Sequence, residues 1–142
     1  DLGAHAGPRI LTPHPGEFRR LVGDSSLDIQ GCRQQARRLA REHDLVLLVK
    51  GHHTLVTDGR QDFENSTGNP GMATGGTGDV LTGVITALVC QKLSPWEAAQ
   101  LGVYVHGLAG DLAAEKYGVV SLIASDLIDH LPHAFRQLGL ST

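Results

Sequence analysis

Hydrophobic and polar positions repeat along this 142-residue chain with periods that change from segment to segment. "RILT", Arg9 to Thr12, reads as a short strand. In the "PHPGEFRRLVG" that follows, Phe18, Leu21 and Val22 share one helical face, Pro15 suits a first helical position and Gly23 a stop. "CRQQARRLAREH" places Cys32, Ala36, Leu39 and Ala40 at helical spacing, and "DLVLLVKG" then runs as a continuous apolar stretch of the kind buried on both faces. A helix feeding a buried strand predicts a parallel sheet. "TLVTDGRQDFEN" carries Asp58-Gly59 between two alternating segments, a strong hairpin signal.

From Asp79 onwards Val80, Leu81, Val84, Ile85, Leu88 and Val89 recur at helical spacing, predicting an apolar helix that ends near Gln91. The next helix starts at "SPWE", with Ser94 as N-cap, Pro95 at the first position and Glu97 completing a capping box. Gly102, Gly107 and Gly110 weaken its propensity, which predicts close approach of another element as compensation. A last helix begins near Ser125, with Pro132 bending or dividing it. No repeat, low-complexity tract or linker divides the chain, so one domain is expected.

Composition narrows the function classes. A net charge of −3, only 12 Lys plus Arg and 4% aromatics offer neither a basic stripe nor stacking platforms, which argues against a nucleic-acid partner. The longest apolar runs, such as "LVLLV", fall far short of a bilayer span, and no charged-then-apolar leader opens the chain, so a soluble protein off the membrane is expected. Cys32 and Cys90 are isolated, which favours free thiols in a reducing cytoplasm.

The chemistry concentrates in "GNPGMATGGTGDVLTGVI", where six glycines surround one carboxylate, Asp79, at a helix start. Glycines let main-chain N–H groups crowd against a ligand, and a helix N-terminus adds partial positive charge, so Gly75, Gly76 and Thr77 form a candidate anion loop. The loop lacks the Gly-Lys-Ser/Thr of a Walker A sequence. In α/β sheets ligands collect beyond the carboxyl ends of parallel strands, and "TPHPGE", "KGHHT" and the glycine loop are all expected at such ends. His14, between two prolines, is stiffly held and suits substrate positioning. Lys50 and the backbone after it suit a phosphate or ribose, although a surface lysine before a hairpin explains the same residues. His52 and His53 are adjacent and would point apart on an extended segment, which argues against a shared metal, and no side chain is assigned to a metal. His106 is expected as a satisfied core histidine.

"TPHPGE", "VKGHHT", "NPGMATGGTGDVLTG", "GVYVHGLAGDLAA" and "LIASDLI" together resemble one family, the ADP-dependent NAD(P)H-hydrate dehydratases, over about Arg9 to Leu138. The resemblance implies an α/β, ribokinase-like three-layer α/β/α sandwich with a mostly parallel sheet, of which residues 1–142 would be the C-terminal part of a single domain. It implies dehydration of the hydrated cofactors NADHX and NADPHX back to NADH and NADPH, with ADP as co-substrate and Mg2+. By the same resemblance His14 contacts the hydrated dinucleotide, and Lys50, Gly51, His52, His53 and Thr54 form the adenine-nucleotide loop. Gly78 contacts the nucleotide. Asp79 contacts substrate at the position of the kinases' catalytic base.

Family members are often tetramers, so a homo-oligomer is expected. They also carry a further half-domain before "TPHPGE", and some a fused epimerase domain. Without that half-domain, uncovered sheet edges, uncovered apolar helix faces and little activity in this piece alone are expected. Two other readings use the same residues: a ribokinase-like vitamin or sugar kinase that stops at the phosphate ester, and a non-catalytic nucleotide-binding module.

Overall fold

The computed structural model describes residue 2 and residues 6–139. The chain divides into two compact units, the first holding the residues up to Asn65 with Leu93–Gln100, the second Ser66–Lys92 with the residues from Leu101 onwards.

In the first unit the order is β1 (Ile10–Leu11), α1 (Pro15–Val22), α2 (Ile29–His43), β2 (Val46–Val49), β3 (Leu55–Thr57) and β4 (Asp62–Glu64). The four strands lie side by side in chain order. β1 and β2 are parallel, with Ile10 opposite Val46, because two helices carry the chain back before β2 begins. β2 with β3, and β3 with β4, are antiparallel. The α/β class holds, while these four strands form a mixed rather than a mostly parallel sheet. The Asp58-Gly59 turn accounts for the last reversal: the Asp58 carboxylate accepts the N–H groups of Arg60 at 2.8 Å and Gln61 at 2.9 Å, closing a short loop between β3 and β4.

Helix faces follow the apolar spacing. Cys32, Ala36 and Ala40 of α2 are fully buried and pack with Phe18, Leu47, Val49 and Leu55 in one core cluster. Small residues on α2 let the helix lie close on the sheet. Val22 packs against this cluster, whereas Leu21 sits to the side of the Phe18 line and is 44% exposed, against the expected shared face. Every residue of β2 is buried, as its continuous apolar run predicts.

The second unit holds a short 3-10 turn (Pro70–Met72), α3 (Thr77–Cys90), most of α4 (Pro95–Tyr117) and α5 (Ala124–Gln137). α3 starts two residues before Asp79 and ends against Gln91. Ser94 and Glu97 make the expected capping box at α4, the Glu97 carboxylate accepting the Ser94 N–H at 2.9 Å and the Ser94 hydroxyl accepting the Glu97 N–H at 3.3 Å. α5 runs undivided through Pro132. Val105, Ala109 and Ala134 form the buried centre of the α4–α5 contact, with Leu101, Leu108, Leu131 and Phe135 packed around it. Gly102 lies against α3, where an added Cβ would stand 2.5 Å from Ile85 Cγ1.

Apolar side chains remain at the surface, among them Val120 at 99% exposure, Ile123 and Ile128. A groove of about 370 Å³ between α3 and α5 is lined by Val84, Leu88, Leu131 and Phe135. Cys32 is buried, Cys90 exposed, and both are free thiols. Among the described residues no helix is long and apolar enough to cross a membrane.

Candidate functional site

Parallel pairing brings the segments after β1 and β2 to the same end of the first unit's sheet, and the N–H of Lys50 donates to the carbonyl of Pro13 at 3.0 Å. His14 caps α1. Its Nδ1 accepts the N–H of Gly16 at 3.1 Å and of Glu17 at 3.2 Å, while its own backbone N–H donates to Glu17 Oε2 at 2.7 Å. A neutral ring that accepts through Nδ1 carries its proton on Nε2, so the cap selects the tautomer and places an N–H donor on a half-exposed edge, 3.4 Å from Glu17 Oε1. Glu17 had no part in the sequence expectation beyond its place in the "TPHPGE" motif, yet it joins two predicted residues: its carboxylate also faces the Lys50 ammonium at 3.7 Å. The His14 N–H, with Lys50 adding its charge, holds the Glu17 carboxyl below its ordinary value.

Gly51, His52, His53 and Thr54 form a tight exposed turn, closed where the Thr54 hydroxyl meets the carbonyl of Gly51 at 3.2 Å. The expected extended geometry is overturned here. His53 adopts a left-handed φ of +56°, and the two imidazoles meet edge to face with centroids 3.9 Å apart instead of pointing apart. Arg33, which no sequence motif flagged, supports this turn from α2: its guanidinium donates to the His53 carbonyl at 2.5 Å and reaches Glu64 at 3.4 Å. A positively charged residue early on α2 was the only signal, and its target lies 20 residues away.

The glycine loop belongs to the second unit. It follows β4, an antiparallel edge strand, and the 3-10 turn, so it does not sit directly at the end of a parallel strand as expected. Gly76 caps α3 with a left-handed φ of +87°, a conformation that suits glycine. Thr77 and Gly78 then occupy the first two helical positions, where N–H groups have no intrahelical acceptor. Thr77 is buried, and its hydroxyl donates toward the carbonyls of Met72 at 2.9 Å and Thr74 at 3.0 Å. Only its backbone N–H is therefore placed to meet an anion. Asp79 is exposed at the third position of α3. His106 is the satisfied core histidine expected, buried with Nε2 2.9 Å from the Thr77 carbonyl.

The sites thus form two groups, His14 with Lys50 through Thr54 in the first unit and Gly75 through Asp79 in the second. The first can receive a polar, hydrogen-bonding ligand; the second can stabilise negative charge beside an ionisable base.

A carbohydrate-kinase family model described as NAD(P)H-hydrate dehydratase matches residues 2–133. The bifunctional NAD(P)H-hydrate repair enzyme of Moorella thermoacetica is 52% identical over 135 residues, covering 93% of this chain and 25% of that protein. The crystal structure of the ADP/ATP-dependent NAD(P)H-hydrate dehydratase of Bacillus subtilis, co-crystallised with ATP/Mg2+ and soaked with CoA, superposes with a TM-score of 0.86 at 36% identity. That match covers 94% of this chain and 50% of the other. A ribokinase-like superfamily protein from Enterococcus faecalis superposes with a TM-score of 0.71 at 30% identity, over 94% of this chain and 46% of that one. The chain therefore spans a quarter to a half of the length of these proteins, and its fold is ribokinase-like.

Proposed function

The chain belongs to the NAD(P)H-hydrate dehydratase family, and we propose that it contributes the nucleotide loop and the catalytic base to an ADP-dependent dehydration of NADHX and NADPHX. We read residues 1–142 as the C-terminal part of a single domain of this kind, active as a cytoplasmic homo-oligomer. The observation that carries the reading is the start of α3: a glycine-capped helix N-terminus whose first N–H groups adjoin an exposed aspartate.

The chemistry follows from those groups. The N–H groups of Thr77 and Gly78 stabilise the charge that spreads over a phosphoryl group as it moves from ADP to the substrate hydroxyl oxygen, releasing AMP. Asp79 accepts the hydroxyl proton in the same step. The ring C–O bond of the resulting ester then breaks, inorganic phosphate departs with that oxygen and takes the proton given up by the neighbouring ring carbon, and the ring double bond returns. His14 presents its Nε2–H to the hydrated dinucleotide. Lys50 and the Gly51-to-Thr54 turn hold the adenine nucleotide.

Magnesium fits this donor set as an ion carried by the nucleotide. Among the described residues no three His, Cys, Asp or Glu side chains are grouped to hold a metal. Mg2+ keeps several waters and is held largely by substrate phosphates, so it would travel with the nucleotide and leave the exposed Asp79 carboxylate to take the proton. When bound, it would neutralise phosphate charge.

The test is an ADP-dependent assay on hydrated cofactor of these residues together with the preceding half-domain that family members carry, followed by the return of NADH absorbance and by rapid quench for a phosphorylated intermediate. Return of absorbance with one AMP per NADH supports the proposal. A stable phosphate ester with no absorbance would make the protein a kinase, and ADP binding without turnover would make it a binding module.

A further inference from the structure

The glycine loop is tied at both ends to one helix. From α4, the Asp111 carboxylate accepts the backbone N–H of Gly68 at 2.8 Å and the side-chain Nδ2–H of Asn69 at 3.0 Å. The other side-chain atom of Asn69, Oδ1, accepts the N–H of Gly71 at 3.0 Å and so orders the turn Pro70–Met72. Beyond that turn the Thr77 hydroxyl donates to Met72 and Thr74, and the Thr77 carbonyl accepts Nε2–H of His106, back on α4. Between His106 and Asp111 the helix surface is glycine. A Cβ at Gly107 would lie 2.1 Å from Thr67 Oγ1, and one at Gly110 would lie 2.3 Å from Met72 Sδ, so the loop rests directly on the helix backbone.

We infer that Asp111 and His106 are positioning residues, holding the span from Gly68 to Thr77 as a closed circuit so that Gly75 to Asp79 present fixed N–H groups and a fixed carboxylate. The inference rests on the reading of that loop as the phosphate-handling and base-bearing element. The physical need is specific. A glycine-rich segment loses more conformational freedom on ordering than any other, and donors stabilise a developing charge only when they need no reorganisation during the reaction. Asp111 answers the first requirement with two charge-assisted hydrogen bonds at one end, and His106 anchors the other end at the carbonyl of the first helical residue.

The hydrogen-bond polarity supplies a test that shape alone would not pass. Asn69→Asp sets two carboxylates face to face. Asp111→Asn, with its oxygen kept on Gly68, sets two amide NH2 groups face to face. The double exchange restores every bond and reverses only the one between positions 69 and 111: Asn at 111 accepts from Gly68 and donates to Asp at 69, which still accepts from Gly71. With the preceding half-domain of the family present, each single variant is expected to lower kcat by up to about 100-fold, with a smaller change in KM for the hydrate and with faster amide exchange across residues 68–78. The double variant is expected to recover both. His106→Gln, which keeps an N–H donor, is expected to recover what His106→Leu loses.

Singles as active as wild type, or a double variant no better than its singles while wild type turns over, would overturn the inference and leave the proposed function standing. A wild type without ADP-dependent turnover would remove the functional reading instead. Amide exchange then decides the clamp: protection restored in the double variant supports it, and unchanged protection in the singles overturns it.

Discussion

The carboxylate of Glu17 accepts the backbone N–H of His14 at 2.7 Å while Nδ1 of His14 accepts the N–H of Glu17 at 3.2 Å. Each residue thus satisfies the other's orphan donor at the start of α1. The His14 hydrogen bond is the main reason the Glu17 carboxyl is held below its ordinary value of 4.5. The sign follows from the depressed value: the ionised carboxylate stabilises the folded state above pH 4.5, and that contribution is lost as pH falls through the lower folded value. An NMR titration of the Glu17 side-chain carboxyl is expected to show a midpoint below 4.5. A midpoint at or above it would refute the capping box as the controlling contact.

His14 has two edges with separable duties. Asn is a good N-cap, so His14→Asn keeps an acceptor for the first turn of α1 but removes the half-exposed Nε2–H beside Glu17. His14→Ala removes both. The alanine variant is expected to lose about 0.5–1 kcal/mol of stability, with the asparagine variant near wild type in thermal melting. Both are expected to raise KM for the hydrate roughly 2- to 10-fold, the worth of one hydrogen bond. Unchanged KM in both would remove His14 from the substrate site.

Asp79→Asn preserves shape at the start of α3 but cannot accept a proton. A fall in kcat of about 10²- to 10⁴-fold is expected, with ADP affinity largely retained. Stopped-flow absorbance for turnover and calorimetry for ADP check the two halves. Full turnover in this variant would require another base.

Gly107→Ala tests the loop's seat on α4 by volume instead of polarity. Its Cβ would stand 2.1 Å from Thr67 Oγ1 and 2.7 Å from the Thr67 carbonyl carbon, so the loop backbone must move. A loss of about 1–3 kcal/mol is expected in chemical denaturation. Gly75→Ala is the control, since nothing lies within 4 Å of its added Cβ. Equal stability of the two variants would contradict the packing described.

Local rules make much of the fold legible in the sequence. The Ser94-Pro95-Glu97 start, the stop at Gly23 and the Asp58-Gly59 hairpin depend on interactions within a few residues, and the buried line Cys32, Ala36, Ala40 shows in its helical spacing. The candidate residues His14, Lys50 and Asp79 were legible for a related reason. Each stands at an element boundary where glycine or proline marks a change of backbone direction.

What only the tertiary structure decided lies at long range or in single dihedral angles. The left-handed His53 brings two rings together that alternation would separate, and the buried Thr77 turns its hydroxyl onto the carbonyls of Met72 and Thr74. Asp111 reaches Gly68 across 43 positions and Arg33 reaches His53 across 20. The sequence by itself determined the helices and the buried strand, because periodicity and capping act within a turn or two. Which distant side chain supports each segment was decided by packing, because hydrogen-bond partners far apart in the chain are chosen only when whole elements dock.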